Sequence, residues 1–188
     1  MKISILLPFK ENFSPSYAGA VSLFVNDTTK LSKYKNNTFI YGNTNYKDTF
    51  KLNYINIEPK INFLQSQNKE YVNEFIKEEE INKSNLIELH NRPIYLKYLV
   101  NSLINKTYIL YFHNDPLSMN GSTTISERTF LMKNCFKLIF NSNWSKRRFL
   151  NGMKQDHINS EKLEVINQSA KKNIFKIKNK QKNFCKPK

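Results

Sequence analysis

Two histidines directly follow short, mostly apolar segments, where an imidazole can bind a ligand or polarise it. His113-Asn114-Asp115-Pro116 comes immediately after Tyr108–Phe112, and His90-Asn91-Arg92-Pro93 comes immediately after Leu86–Leu89. Segments that are apolar throughout, as the first one is, are typical of strands in a parallel sheet flanked by helices. Because ligands bind beyond the carboxyl ends of such strands, the sequence predicts a ligand-binding cleft at these residues.

His113 is the candidate that could take more than one chemical role. Its ring could hydrogen-bond a sugar hydroxyl, or donate to negative charge that develops on a leaving phosphate. The short polar residues before Pro116 favour a defined turn that would fix the ring. Asp115 is expected to stabilise that turn, and an acid/base pair with Glu127 is the weaker interpretation. The alternative for His113 is a position in a surface loop without chemistry.

Two helix starts add further candidates. Gly19 lies between a predicted strand and a predicted helix, where a residue without Cβ would let a phosphate approach backbone N–H groups. An ordinary loop glycine explains it equally well, and the three spaced glycines of a dinucleotide-binding loop are absent from the sequence. Ser142 is a predicted helix cap followed by Lys146-Arg147-Arg148, for which capping plus solvated cations is the alternative to a binding role.

Alternating strand and helix patterns must position these candidates. Strands are predicted at Ile3–Pro8, Thr38–Tyr41, Leu52–Ile57, Leu86–Leu89, Tyr108–Phe112, Leu138–Phe140 and Leu163–Ile166. Helices are predicted after Ala18, as an exposed helix at Tyr71–Glu80, after Pro93, at Glu127–Cys135 and at Trp144–Leu150. This order predicts an α/β fold with a doubly wound, mostly parallel sheet.

The composition is strongly basic but uneven. The 188 residues include 30 Lys and Arg against 15 Asp and Glu, a formal charge of +15, and nine of the lysines lie between Lys162 and Lys188. An excess of Lys and Asn, with A-rich codons, weakens the inference of an anionic partner from charge alone. The two cysteines and three histidines have no metal-ligand spacing, and no apolar segment approaches the ~20 residues that cross a bilayer. A reduced, cytoplasmic location is expected, with peripheral contact to anionic membrane as an option.

Several segments resemble the N-terminal half of a GT-B-fold glycosyltransferase of the family 4 (group 1) type, and they occur in the same order as in that family. They are Lys2–Pro8, Ala18-Gly19-Ala20, Ile87–Asn91, Tyr111–Asp115, Phe140–Lys146 and Val165–Ser169. The resemblance implies a Rossmann-like, acceptor-side domain over residues 1–173. It also implies transfer of a sugar from a nucleotide-sugar donor to a glycan or lipid-linked acceptor, without metal or other cofactor and usually with retention of configuration.

The same resemblance assigns roles to individual residues. Gly19 would approach the donor's phosphate, and His113 would act as the catalytic residue facing the transferred sugar. His90, Asn91 and Arg92 would border the acceptor together with Asn114 and Asp115, and Ser142 and Ser169 would lie near the cleft floor. Ala18 stands where the family commonly has a second glycine, which weakens the expected phosphate contact at that position.

The family's donor-binding domain has no counterpart within these 188 residues. Residues 174–188 form a Lys-rich segment that is expected to be disordered. We therefore expect a truncated glycosyltransferase that is inactive alone, with a donor domain supplied by a separate chain. The alternatives are a basic α/β module that binds a polyanion or nucleic acid without catalysis, and a nonfunctional remnant. Nucleic acid is the less favoured partner, because the sequence has no helix-turn-helix, zinc or RNA-binding aromatic pattern.

Overall fold

In the computed structural model, which describes residues 1–60 and 66–168, strands and helices alternate along the chain. The strands are β1 (Ile3–Leu6), β2 (Thr38–Gly42), β3 (Tyr54–Asn56), β4 (Leu86–His90), β5 (Thr107–Phe112), β6 (Lys137–Phe140) and β7 (Leu163–Val165). The helices are α1 (Ala20–Leu31), α2 (Gln67–Asn82), α3 (Ile94–Ser102), α4 (Ile125–Asn134) and α5 (Asn143–Leu150). Each predicted strand and helix is present, with ends shifted by a few residues.

The strands form one sheet in the order β3-β2-β1-β4-β5-β6-β7, and every neighbouring pair is parallel. The predicted doubly wound α/β fold is therefore confirmed, with a sheet that is parallel throughout. The strand order reverses between β1 and β4, which are neighbours in the sheet although far apart in sequence. Ligands of open α/β sheets bind outside the carboxyl ends of the strands at such a reversal.

Two hydrophobic cores cover the faces of the sheet. The larger core packs α2, α3, α4 and α5 against side chains from one face of the sheet, including Leu89, Leu110 and Phe140. The smaller core packs α1 against β1 and β2 through Val21 and Val25. On the face of α1, the β5 residues Ile109 and Tyr111 are only partly buried, so β5 is less completely covered than its apolar sequence predicts.

Helix α2 is confirmed, but its predicted exposure is wrong. Tyr71, Val72 and Phe75 are fully buried, and so is the carboxylate-bearing Glu79 within the acidic run. Glu79 accepts hydrogen bonds from Ser4 Oγ (2.5 Å) and Ser84 N (2.6 Å), and its Oε1 lies 3.1 Å from Lys106 Nζ. A buried carboxylate is stable here because its oxygens have several donors.

Several predictions fall outside the described residues. They concern Ser169, the domain boundary at 173 and the Lys-rich segment 174–188. Within 1–60 and 66–168, no helix is both long enough and apolar enough to cross a membrane.

Candidate functional site

At the carboxyl ends of β4 and β5, three side chains form a hydrogen-bonded chain. His90 Nε2 lies 2.8 Å from Glu88 Oε1, and His90 Nδ1 lies 2.8 Å from His113 Nε2. Gln168 Nε2 contacts the remaining nitrogen, His113 Nδ1. Glu88 and His90 lie two residues apart on β4, so they point to the same face of the sheet.

The direction of the donors follows from Glu88. An ionised carboxylate only accepts, so His90 donates from Nε2, and with both rings neutral its Nδ1 accepts from His113 Nε2–H. Burial, reinforced by the neighbouring His90, lowers the pKa of His113 to about 3, which keeps that ring neutral. His113 Nδ1 therefore bears a lone pair and accepts from the Gln168 amide. The site presents a hydrogen-bond acceptor at this atom.

Aromatic packing holds the two imidazoles. Tyr111 stacks on His90 with ring centroids 4.7 Å apart, and Phe24 of α1 meets the His113 ring edge-on at 5.0 Å. His90 is fully buried, and His113 is partly buried. His113 thus has one nitrogen directed into the protein and one near the surface. His90 is not among the residues that line the neighbouring cavity, so its predicted contact with an acceptor would be indirect.

Two asparagines fix the backbone of His113, just after β5. Asn91 has a φ of 52°, a left-handed conformation that asparagine adopts more readily than most residues. Its Oδ1 accepts from His113 N at 2.7 Å. Asn141, just after β6, donates from Nδ2 to His113 O at 2.6 Å. These two bonds set the position of His113 from both neighbouring strands.

A cavity of about 650 Å³ opens at the reversal between β1 and β4; its lining includes Asn91 and Asn114, the residues that follow His90 and His113, but neither histidine. Of the predicted binding residues, Asn91, Arg92 and Asn114 line it. The other lining residues are Phe9, Ser66, Gln67, Asn68, Ile94, Ser118, Met119 and Asn120. The hydroxyl of Tyr95 accepts a hydrogen bond from Phe9 N at 2.9 Å, which fixes the backbone of this lining residue. Carboxamides, hydroxyls and one aromatic ring are groups suited to a hydroxylated ligand.

Gly19 lies between a strand and a helix, as predicted, and it is the N-cap of α1; the carboxylate of Glu11 lies against it. A Cβ added at Gly19 would stand 2.1 Å from Glu11 Oε1. The same oxygen accepts a hydrogen bond from Ser22 N in the first turn of α1, at 3.1 Å. The missing side chain at Gly19 therefore makes room for an intramolecular anion at the helix N-terminus.

Asp115 and Ser142 are structural in this conformation. Asp115 Oδ1 accepts from Leu117 N, which confirms its predicted role in the turn, and Arg148 binds both of its carboxylate oxygens. Hydrogen bonds from Arg148 and the Leu117 amide lower the pKa of Asp115 despite some burial. Ser142 accepts from Ser145 N as the N-cap of α5. Arg148 is thus an ion-pair partner, not the solvated cation of the alternative interpretation.

Glu127 is a capping residue. It forms a capping box with Thr124 at the start of α4. An acid/base pair with Asp115 is therefore wrong for this structure.

Sequence reasoning missed Glu88, Gln168, Asn141 and Glu11. Glu88 had a usable signal, because alternate residues of a strand share a face and Glu88 stands two positions before His90. The other three depend on contacts between distant parts of the chain, for which the sequence carries no local signal. No three His, Cys, Asp or Glu side chains of the described residues are grouped to hold a metal ion.

Solved structures with the GT-B fold resemble this chain. HepE from Anabaena, in complex with UDP and glucose, has a TM-score of 0.63 and 17% identity over 93% of this chain and 46% of HepE. Sucrose-phosphate synthase from Thermosynechococcus elongatus has a TM-score of 0.53 and 9% identity, covering 90% of each chain. A UDP-N-acetylglucosamine 2-epimerase has a TM-score of 0.52 and 6% identity over 87% of this chain and 47% of the epimerase.

These likenesses define the class of fold. The chain is a Rossmann-like α/β domain that matches one half of GT-B proteins, and it spans about half the length of HepE and of the epimerase. No protein-family model matches the sequence, and the comparison with curated proteins found no similar sequence.

Proposed function

We propose that this chain is the acceptor-side domain of a glycosyltransferase. It would help transfer a glycosyl group from a nucleotide sugar to a glycan or lipid-linked acceptor. The observation that carries the proposal is the placement of His113 at the tip of β5, with Nδ1 presented as an acceptor, one residue before Asn114, which lines a polar cavity. HepE, which has a similar fold, is a protein with UDP, glucose or UDP-glucose bound in its structures.

His113 would accept a hydrogen bond from a hydroxyl of the transferred sugar. In this structure the Gln168 amide donates to the same nitrogen, so it would have to move away before a sugar hydroxyl could bind there. Donation to a leaving phosphate, the other role considered for His113, would need a proton on Nδ1, which the Glu88–His90 order of donors opposes. His90 and Glu88 act as positioning residues that hold the tautomer, in the way that a carboxylate orients a histidine in other active sites.

The donor would be held mainly by a second domain, since the chain covers 46% of HepE. That domain would belong either to a longer form of this protein or to a separate chain. The N-terminus of α1 would face the donor's diphosphate, as anions favour such helix ends. Because the Glu11 carboxylate now binds there, it would have to move away before a phosphate could contact Ser22 N. In the resembled family, transfer usually retains the configuration of the donor sugar, and we propose retention here.

The test is transfer from UDP-, GDP- and ADP-sugars by the purified chain, alone and together with a donor-binding domain. We expect turnover only in the combined reaction, with His113→Ala lowering kcat/KM about 10- to 100-fold through loss of one hydrogen bond to a desolvated hydroxyl. The matched control is His157→Ala, at an exposed histidine that is not among the residues lining the cavity. Turnover that His113→Ala leaves unchanged would contradict the role of His113. Turnover by the chain alone would contradict the need for a second domain.

A further inference from the structure

The cavity lined by Asn91, Arg92 and Asn114 has an unusual balance of charge. Its lining contains five carboxamides, two serine hydroxyls and one guanidinium, that of Arg92, and no carboxylate. Carboxamides and hydroxyls bind neutral hydroxyl groups, whereas a guanidinium is a strong donor toward carboxylate and phosphate. Arg92 is therefore the one lining residue whose positive charge a neutral sugar would leave without a partner.

The charge of Arg92 has no ionic partner in the described structure. Arg92 Nη1 donates to the backbone oxygen of Asn91 at 2.9 Å, and no ion pair involves this residue. All 15 Asp and Glu of the sequence lie within residues 1–60 and 66–168, so a further side-chain carboxylate is not supplied elsewhere. Asp115, the acidic residue that follows Asn114 of the lining, is bound by Arg148.

The sequence has only four arginines against 26 lysines. Of the three arginines other than Arg92, two use more than one nitrogen of the planar guanidinium group. Arg128 donates from Nη1 to the backbone oxygens of Phe149 and Asn151 and from Nε to that of Thr124, and Arg148 binds both oxygens of Asp115 through Nε and Nη2. Lysine, with a single nitrogen, cannot reproduce contacts that use two nitrogens of a planar group. By the same chemistry, Arg92 suits a planar or tetrahedral oxyanion better than a single hydroxyl.

The adjoining helix adds to the positive potential. Helix α3 begins at Ile94, which lines the cavity, and it has no acidic residue in its first turn. The partial positive charge of a helix N-terminus is thus not offset by a side chain of its own helix.

We propose that this cavity binds an acceptor saccharide bearing an anionic group, a carboxylate or a phosphate, and that Arg92 binds the anion. The carboxamides would bind hydroxyl groups of the same sugar. This inference rests on the proposed function, of which it specifies the acceptor.

The test is binding of three probes to the chain by NMR titration: methyl glucoside, methyl glucuronide and methyl glucoside 6-phosphate. We expect at least one charged probe to bind about tenfold more tightly than the neutral probe, and its identity distinguishes carboxylate from phosphate. Arg92→Gln should abolish that difference while leaving the neutral probe unaffected. Arg147→Gln, which removes the same charge from an exposed position on α5, should preserve it.

Equal affinities for all three probes, or a preference that persists in Arg92→Gln, would overturn the inference, as would absence of binding by all probes. Arg92→Lys serves if Arg92→Gln does not fold, and it should reduce the preference because it keeps charge but loses the fork. Transfer assays separate this inference from the proposed function. Transfer to neutral acceptors with no gain from an anionic group would refute only the anionic acceptor, whereas no transfer in a completed cleft would refute the enzyme itself.

Discussion

His113 is held in position by residues at the ends of two neighbouring strands, β4 and β6, and by helix α1. Its Nε2 faces His90, Phe24 covers its ring, and its backbone is bonded to Asn91 and Asn141. Burial and the His90 ring lower its pKa from 6.5 to about 3. A histidine in this state works as a neutral hydrogen-bonding group near pH 7 and not as a reservoir of protons.

This pKa predicts a pH dependence of stability. In the unfolded chain the His113 imidazole takes up a proton near pH 6.5, but in the folded protein it does so only near 3. Its contribution to the free energy of unfolding is therefore fully present above 6.5 and is lost as the pH falls toward 3, with a slope of at most about 1.4 kcal/mol per pH unit. Urea denaturation at several pH values between 7.5 and 5 would measure this slope.

His113→Gln should flatten the dependence between pH 6.5 and 5. In that interval the carboxyl groups whose pKa lies below its ordinary value, including Asp115 and Glu79, remain ionised. His157→Gln is the control, since His157 is exposed and makes no contact with the Glu88–His90–His113 chain. Equal slopes for the wild-type chain and His113→Gln would contradict the assigned burial.

The sequence located His113, Asn91 and Arg92 because the end of an apolar strand is a local signal. It did not predict that His90 would be buried beneath Phe24, since that contact joins β4 to α1 across more than sixty residues. Nor did it predict that Glu11 would reach Gly19. A glycine before a helix is compatible with a phosphate or with a carboxylate, and only the position of the preceding loop decides between them.

At the scale of elements, α2 is tied to the amino ends of three strands by one carboxylate. Glu79 binds Ser4 of β1, Ser84 before β4 and Lys106 before β5. Burial opposes ionisation of Glu79, but the hydrogen bonds from Ser4, Ser84 and Lys106 prevail and lower its pKa. The network lies at the amino ends of the strands, whereas the candidate site lies at their carboxyl ends.

We predict that Glu79→Ala lowers the free energy of unfolding by about 3 kcal/mol, because it leaves Lys106 and the two serines without their common partner. Glu80→Ala, at the exposed neighbouring position, should change it by less than about 0.5 kcal/mol. Urea denaturation followed by circular dichroism would give both values. A similar small change for Glu79→Ala would show that the network contributes little.

Periodicity predicted α2 itself but placed Glu79 among solvated acids, since an acidic run looks polar whichever of its members faces inward.

At the scale of the whole molecule, the positive charge divides into two parts. Residues 171–188 contain eight lysines and no acidic residue, which leaves +7 of the total +15 on the preceding sequence. If the chain approaches an anionic membrane, as a lipid-linked acceptor would require, most of the attraction would come from those lysines. Each lysine near an anionic surface contributes roughly 1 kcal/mol.

We therefore predict that the chain sediments with phosphatidylglycerol vesicles at low salt and not with phosphatidylcholine vesicles. Replacing the eight lysines of 171–188 with glutamine should weaken binding by at least about a hundredfold, and 0.5 M salt should do the same to the unaltered chain. The nucleic-acid alternative gives a different result. Tight binding to random duplex DNA, with a salt dependence that these eight replacements leave unchanged, would locate the polyanion site on the α/β domain itself. That outcome would favour a basic binding module over a glycosyltransferase domain that meets its acceptor at a membrane.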